Sequence, residues 1–401
     1  MSAFLRALAL LVLLFGAIAP ARAQLAAVSS GVQYEFIERW DVERLNRILQ
    51  TEMPAFAGMP VSFTPARNAV QLYRVTYPSV VPERGNKPIA ASGLVAVPDT
   101  GGTSFPVVSY QHGTVYGKKE VPSFPDQSDE TRLMIALFAG QGYVVVGADY
   151  FGMGISGEPE GYMVKASHQQ ATFDMLAAGN SVLDRMKIGR TRLFLAGWSQ
   201  GGFVTMALLE KLESAGVAVD AAATASAPVD IYPALSGFLA LPRRNDAAWV
   251  NTLFILSSFS FENYYGVPGL ARALLTDEAY DISRKVYERQ PFDAAQVPTD
   301  LHKLIRAAYF DPQRFAQSAY GRLVLATNAY RWTIRTPVRT FYGESDEVIS
   351  VGLGRLAADY QRTIGAGNTK VEAISTGDTT HRGTFVRAAP RWKSWFDELS
   401  R

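Results

Sequence analysis

The sequence predicts an α/β protein with a mostly parallel central sheet, helices on both faces and an inserted, mainly helical cap. Short apolar runs alternate with helix-like segments over two parts of the chain, which is typical of parallel strands joined by helices. The alternation stops between about residues 228 and 332, where helical segments and aromatic clusters occur without a clear strand. A structureless connection of that length is unusual inside a compact domain, so this stretch is predicted to be a cap.

The individual elements are predicted from apolar runs, turn residues and glycine stops. The predicted strands are 69–77, 89–97, 105–111, 143–148, 193–196, 221–227, 338–342 and 370–374. The predicted helices are 131–139 (ended by Gly140), 169–186, 202–213, 353–363 and 385–399. The predicted division is a leader at 1–23, a first core part at 24–229, the cap at 230–333 and a second core part at 334–401.

Composition excludes several classes of protein. The 401 residues suffice for one large domain with an insertion, and 48% hydrophobic with 19% charged residues indicates a compact globular chain. A net charge of +2, from 39 basic and 37 acidic residues, gives no basic face for a nucleic-acid partner. The absence of cysteine excludes disulfides, thiolate metal sites and cysteine nucleophiles.

The first residues have the pattern of a secretory signal peptide. Arg6 precedes an apolar run at 7–18, and Ala21-Arg22-Ala23 resembles a cleavage site. A retained anchor is the alternative, but the run is shorter than the roughly 20 residues that span a bilayer. The chain is therefore predicted to be exported to the periplasm or the medium, with a mature start near Gln24.

The segment Gly197-Trp198-Ser199-Gln200-Gly201 matches the pattern G-x-S-x-G. An apolar strand leads into it and a helix-like segment follows, which is the context in which a sharp turn exposes one serine hydroxyl. Ser199 is therefore the predicted nucleophile. The alternative is an ordinary glycine-rich turn with a surface serine.

A serine nucleophile needs a base, and the chain has four histidines. His381 is the predicted base because it lies between the last strand and the last helix, in a loop at the carboxyl edge of the sheet. His168 opens a helix and His302 lies in the cap, so both are predicted to be structural. The alternative for His381 is a solvated loop histidine.

The third member of such a triad is an acid between the serine and the histidine in this chain order. The segment Gly343-Glu344-Ser345-Asp346-Glu347 follows a strand and precedes a helix. Asp346 is the predicted acid, with Glu344 and Glu347 as rivals.

Negative charge on the substrate oxygen requires backbone N–H donors. One is predicted at Gln200, and the second at Gly113 or Thr114 in the loop after strand 105–111; the sequence does not choose between these two. His112 and Trp198 are predicted to contact substrate. A second loop, 149–154, either lines an acyl pocket with Phe151 and Met153 or is a structural turn fixed by Asp149.

The set His112-Gly113, Gly197 to Gly201, Asp346 and His381 resembles the α/β-hydrolase superfamily from about Ala69 to Leu399. It is most similar to the lipase and esterase branch, which includes secretory lipases with a large inserted cap. The resemblance implies ester hydrolysis through an acyl-enzyme, without metal or cofactor. The implied partner is a small-molecule or lipid ester, with membrane contact only at a lipid interface.

Other functions remain open. A serine peptidase of the same fold would use the same triad, and a catalytically silent binding protein would use none of it. The cap residues Trp249, Phe254, Phe259, Phe261, Tyr264 and Tyr265 either face the substrate or form the interior of the cap. The sequence does not decide between a mobile lipase lid and a rigid esterase cap.

Overall fold

The computed structural model describes residues 26–29, 31–365 and 370–401, so the predicted leader at 1–23 lies outside the described residues. Ten strands in this part of the chain form one sheet. They are β1 Ala26–Ser29, β2 Val32–Trp40, β3 Ala69–Val81, β4 Lys87–Asp99, β5 Ser104–Gln111, β6 Val144–Ala148, β7 Gly189–Trp198, β8 Ala221–Ala225, β9 Val338–Tyr342 and β10 Val371–Ser375.

The strand order across the sheet is β1-β2-β3-β4-β6-β5-β7-β8-β9-β10. The pairings from β1 to β6 along this order are antiparallel, and the pairings from β6 to β10 are parallel. Parallel strands end at one edge of the sheet, so the loops that follow β5 to β10 meet there. The predicted mostly parallel sheet is confirmed.

Helices cover both faces, as predicted. The helices are α1 Val42–Arg47, α2 Met53–Ala57, α3 Asp129–Leu137, α4 Lys165–Arg185, α5 Gln200–Ser214, α6 Ile231–Ala240, α7 Asn251–Tyr265, α8 Leu270–Leu274, α9 Asp277–Tyr287, α10 Leu301–Leu304, α11 Pro312–Gln317, α12 Ala319–Ala326, α13 Val351–Thr363 and α14 His381–Leu399. On one face lie α4, α5 and α13, and on the other lie α1, α2, α3 and α14.

The central strands are buried on both faces, which explains their uninterrupted apolar sequences. In β6, Val144 and Val146 pack into one hydrophobic core while Val145 packs into the other. This alternation follows from the two-residue period of a strand. The sheet therefore separates two cores and gives the loops at its carboxyl edge a rigid base.

Between β8 and β9 the described chain is helical, from α6 to α12. The aromatic residues Phe254, Phe261 and Tyr264 are buried there. The predicted cap limits 230–333 enclose these helices. That residues 230–333 form a separate domain stays a prediction. Within the described residues, no helix combines the length and apolar content needed to cross a membrane.

The predicted stop of the first long helix at Gly140 is wrong. Helix α3 ends at Leu137, and a 3₁₀ turn at Ala139–Gln141 follows it. Gly142, with φ of 92°, closes that turn in the left-handed region that favours glycine.

Candidate active site

Ser199 occupies a sharp turn between β7 and α5. Its φ is 56° and its ψ is −125°, a backbone conformation that residues other than glycine rarely adopt. The N–H of Ser199 donates to the carbonyl of Ala225 on β8, at 2.9 Å, and its own carbonyl accepts from Phe203 at 3.2 Å. Helix α5 begins at Gln200 rather than at the expected Gly202, so the serine lies directly at the N-terminus of the helix.

Two glycines permit this turn. A Cβ on Gly197 would overlap the carbonyl of Gly201, and a Cβ on Gly201 would overlap the carbonyl of Gln111. The strand, the turn and the loop after β5 approach one another too closely for any side chain. The pattern G-x-S-x-G therefore reflects backbone packing around Ser199.

The structure brings the three predicted triad residues together. Nε2 of His381 lies 2.9 Å from Oγ of Ser199, and Nδ1 lies 3.0 Å from each carboxylate oxygen of Asp346. All three side chains are buried. The predicted loop position of His381 is wrong, because His381 is the first residue of α14 and Thr380 caps that helix.

The carboxylate of Asp346 is held by several donors besides His381. Ser226 donates its hydroxyl at 2.6 Å, and the N–H groups of Val348 and Ile349 donate at 2.9 and 2.8 Å. Burial raises the pKa of Asp346, but the charge of His381 and these hydrogen bonds outweigh burial and hold the pKa below its ordinary value. Asp346 is therefore ionised at neutral pH.

The rival carboxylates have other partners. Glu347 accepts a hydrogen bond from the backbone N–H of His381 at 2.8 Å, and Glu344 accepts one from the hydroxyl of Ser375 at 2.7 Å. Neither one hydrogen-bonds to the imidazole. In the described structure Asp346 alone holds that position.

Aromatic rings enclose the imidazole of His381. The ring of Trp198 lies 4.9 Å away and is itself stacked on Phe385, also at 4.9 Å. Trp249, from the turn that precedes α7, lies at 6.1 Å. These contacts restrict the rotation of the ring. Trp198 also lines a cavity at Ser199, and its contact with substrate stays a prediction.

The predicted oxyanion donors differ in what they bind. The N–H of Gly113 donates to the carboxyl of Glu130 at 2.9 Å. Within the described residues, the N–H groups of Gln200 and Thr114 have no acceptor. Thr114 and Gln200 both line cavities that reach Ser199.

Three candidate substrate-contact residues, His112, Phe151 and Met153, line neither cavity at Ser199. His112 is buried, with Nδ1 at 2.8 Å from the carbonyl of Gly113 and its ring stacked 4.0 Å from Tyr150. Phe151 and Met153 are buried and line neither cavity at Ser199. Their loop turns inward because Asp149 accepts hydrogen bonds from Ser92 and Ser123, which fits the structural alternative for this loop.

Two cavities meet at Ser199. The inner cavity, of about 40 Å³, is almost entirely apolar. The outer cavity, of about 280 Å³, is lined by His381, Trp198, Thr114, Glu347 and Arg382. Beyond it a groove of about 740 Å³ shares Tyr116 and Trp249 with the outer cavity. The apolar residues that line the inner cavity include Tyr162, Met163, Ile231, Leu235, Phe238 and Leu253.

Two other histidines do not contact the nucleophile. His168 is buried within α4, where its Nε2 accepts a hydrogen bond from the side-chain amide of Gln200 at 3.3 Å. Burial lowers the pKa of His168 to about 3. His302 is stacked on Phe310 in the inserted region. Among the described residues, no three His, Asp or Glu side chains are grouped as a metal site would require.

Sequence reasoning missed Ser226 and Glu130. Ser226 follows β8 at the carboxyl edge of the sheet, which was the only available signal for it. Glu130 lies near the start of α3, and only the folding of the chain brings its carboxyl group to the N–H of Gly113. No local sequence pattern therefore indicates its role.

The chain matches one known protein family by sequence over part of its length. A sequence profile of the prolyl oligopeptidase family matches residues 129–227, which include the turn at Ser199. No curated protein matches the chain by sequence.

Three solved structures are similar over most of the chain. A presumed hydrolase from Legionella pneumophila has a TM-score of 0.81 at 21% identity, covering 94% of this chain and 98% of its own. The rice cell wall degrading esterase LipA from Xanthomonas oryzae has a TM-score of 0.72 at 21% identity, covering 95% and 98%. Candida antarctica lipase A in its closed state has a TM-score of 0.60 at 14% identity, covering 91% and 81%.

At identities this low, structural similarity establishes the fold alone. The predicted resemblance is confirmed at that level: the chain has the α/β-hydrolase fold, and the solved structures it resembles include an esterase and a lipase.

Proposed function

We propose that the protein is an exported serine hydrolase that cleaves carboxylic esters. The observation that carries the proposal is the continuous hydrogen-bonded chain from Ser199 through His381 to Asp346. A hydroxyl becomes an effective nucleophile when an adjacent base takes its proton. A buried carboxylate keeps that base in the required tautomer and stabilises its charged form.

In the proposed reaction, His381 takes the proton of Ser199 while Oγ attacks the ester carbonyl carbon. The carbonyl oxygen becomes an oxyanion, which accepts hydrogen bonds from Gln200 and from the loop at Gly113 and Thr114. His381 then protonates the leaving alcohol and an acyl-enzyme remains. A water molecule, activated by His381, attacks the acyl group and releases the acid.

The position of His381 suggests which half of the ester each cavity binds. Because His381 has to protonate the leaving oxygen, the alcohol lies in the outer cavity and the acyl group lies in the inner one. The inner cavity, of about 40 Å³, is much smaller than the outer cavity, of about 280 Å³. A short acyl chain of about two to four carbons fits this space, while the outer cavity and its groove accept a bulky alcohol.

The acyl assignment predicts a sharp chain-length preference. With p-nitrophenyl esters, kcat/KM is expected to be highest for acetate to butyrate and to fall by about 100-fold or more for palmitate. Leu253, which is only partly buried in the wall of the inner cavity, provides the test variant. Leu253→Ala is expected to move the optimum to longer chains. Leu241→Ala, at an exposed position of the same region, is the control and should leave the optimum unchanged. A wild-type optimum at long chains would contradict the assignment and indicate a lipase.

A serine peptidase is the second candidate, because the matching profile belongs to the prolyl oligopeptidase family. The same triad would then cleave an amide. Peptide p-nitroanilides with proline before the scissile bond separate the two functions. Turnover of these anilides with no turnover of esters would replace the ester proposal.

Export rests on residues 1–23, whose basic start, apolar run and small-residue site are typical of a signal peptide. N-terminal sequencing of the protein recovered from the periplasm or the medium is expected to begin near Gln24. Recovery in the cytoplasm with the leader intact would contradict export.

A further inference from the structure

Glu130 is a buried carboxyl group that the proposed reaction does not use. It is the second residue of α3, only 6% of it is exposed, and its Oε2 accepts the N–H of Gly113 at 2.9 Å. Gly113 belongs to the loop that follows β5 and approaches Ser199. A buried carboxyl group beside a catalytic loop needs an explanation, since burial of such a group is costly without a compensating interaction.

The contact determines which N–H of the loop is free. A peptide unit is planar and trans, so its C=O and N–H point in opposite directions. In the His112–Gly113 unit, the N–H is bound by Glu130 and the C=O accepts the hydroxyl of Tyr150 at 3.0 Å. This unit is held at both ends, and its N–H is directed at Glu130.

In the next peptide unit, Gly113–Thr114, the C=O is bound and, among the described residues, the N–H is free. The carbonyl of Gly113 lies 2.8 Å from Nδ1 of His112, and a carbonyl oxygen can only accept a hydrogen bond. The N–H of the same unit belongs to Thr114, points the other way and has no acceptor in the described chain. Thr114 also lines the outer cavity beside Ser199.

We propose that Glu130 is a positioning residue that binds the N–H of Gly113 and thereby presents the N–H of Thr114 as the second oxyanion donor. The inference rests on the proposed function. Without an acceptor at position 130, the N–H of Gly113 would be buried and unpaired, and the loop would rotate to pair it. That rotation would turn the N–H of Thr114 away from the oxyanion.

The test compares Glu130→Leu, which has no acceptor, with Glu130→Gln, which keeps a carbonyl oxygen there. Rates are expressed per active site titrated with a fluorophosphonate, so that unfolded protein does not count. Glu130→Leu is expected to lower kcat for p-nitrophenyl butyrate by about 10- to 100-fold with little change in KM, because the lost contact acts on the transition state. Glu130→Gln is expected to restore kcat to within about 5-fold.

A second readout is the pH dependence. Burial raises the pKa of Glu130 to about 8, against the opposing effects of Gly113 and Tyr110. The neighbouring titratable groups are Tyr110 on β5, Tyr150 after β6 and His112; burial raises the pKa of both tyrosines and lowers that of His112 to about 4, so none titrates near pH 8. Above that pH the ionised carboxylate opposes a nearby oxyanion. The kcat ratio of Glu130→Gln to wild type should therefore rise above about pH 8.

Glu213→Leu is the matched control. Glu213 is also a buried carboxylate, but it accepts the backbone N–H groups of Arg335 and Thr336 away from the site. The Glu213→Leu change should lower the melting temperature and leave kcat per titrated site unchanged. Wild-type kcat in Glu130→Leu, or equal losses in Glu130→Leu and Glu130→Gln, would overturn the inference. A wild-type enzyme that neither hydrolyses esters nor reacts with the fluorophosphonate would instead overturn the proposed function.

Discussion

Ser199→Ala is expected to lower kcat for p-nitrophenyl butyrate by about 10⁵- to 10⁶-fold, the loss typical of removing a nucleophile from a triad that acts as a unit. The hydroxyl is the only group of the site that attacks the carbonyl in the proposed reaction. The residual rate would come from the oxyanion donors and substrate binding alone. Steady-state kinetics of the purified variant measures the loss.

The control for this change is Ser214→Ala. Ser214 lies at the exposed end of the same helix α5 and donates its hydroxyl to the carbonyl of Lys211. Its removal should leave kcat unchanged, and Ser199→Ala should also lose fluorophosphonate labelling. A Ser199→Ala variant within tenfold of wild type, by contrast, would show that another residue is the nucleophile.

Asp346→Asn is expected to lower kcat by about 10⁴-fold near neutral pH. An amide can offer its NH₂ group to Nδ1 and so favour the wrong tautomer of His381. It also cannot stabilise the charged imidazole that forms during attack. KM should change much less than kcat, because Asp346 lines neither cavity at Ser199.

Glu347→Gln distinguishes Asp346 from its neighbour. In the described structure the carboxylate of Glu347 accepts only the backbone N–H of His381, and glutamine retains an acceptor for that bond. A loss below about tenfold is expected. If Glu347→Gln were as inactive as Asp346→Asn, the assignment of the acid to Asp346 alone would fail.

The sequence predicted the parallel half of the sheet well, because strands buried on both faces are continuous apolar runs bounded by turns. Strand β2 was not predicted. Its sequence, Val-Gln-Tyr-Glu-Phe-Ile-Glu-Arg-Trp, mixes charged and apolar residues, and most of the strand is partly exposed near the antiparallel edge. The short helices α1 and α2 that follow it were missed for a similar reason, since each has too few residues to show a period.

At the site, the residues that lie in a recognisable local sequence pattern were named from the sequence. The residues that reach the site only through contacts between distant elements were not. The turn at Ser199 has its own sequence signature, and chain order restricted the choice of base and acid. The contacts Glu130 to Gly113 and Ser226 to Asp346 connect different elements, so neither has a signature. The sequence left the role of Phe151 and Met153 open, because the direction of their loop is set by Asp149 and its distant serine partners.

The indole of Trp249 has a consequence for the evolution and engineering of selectivity. One side chain lines the inner cavity, the outer cavity and the groove beyond them. A substitution there changes the space for the acid and for the alcohol together. Preferences for the two halves of a substrate are therefore coupled at this position, and independent adjustment has to use residues such as Leu253, which borders the inner cavity without lining the others.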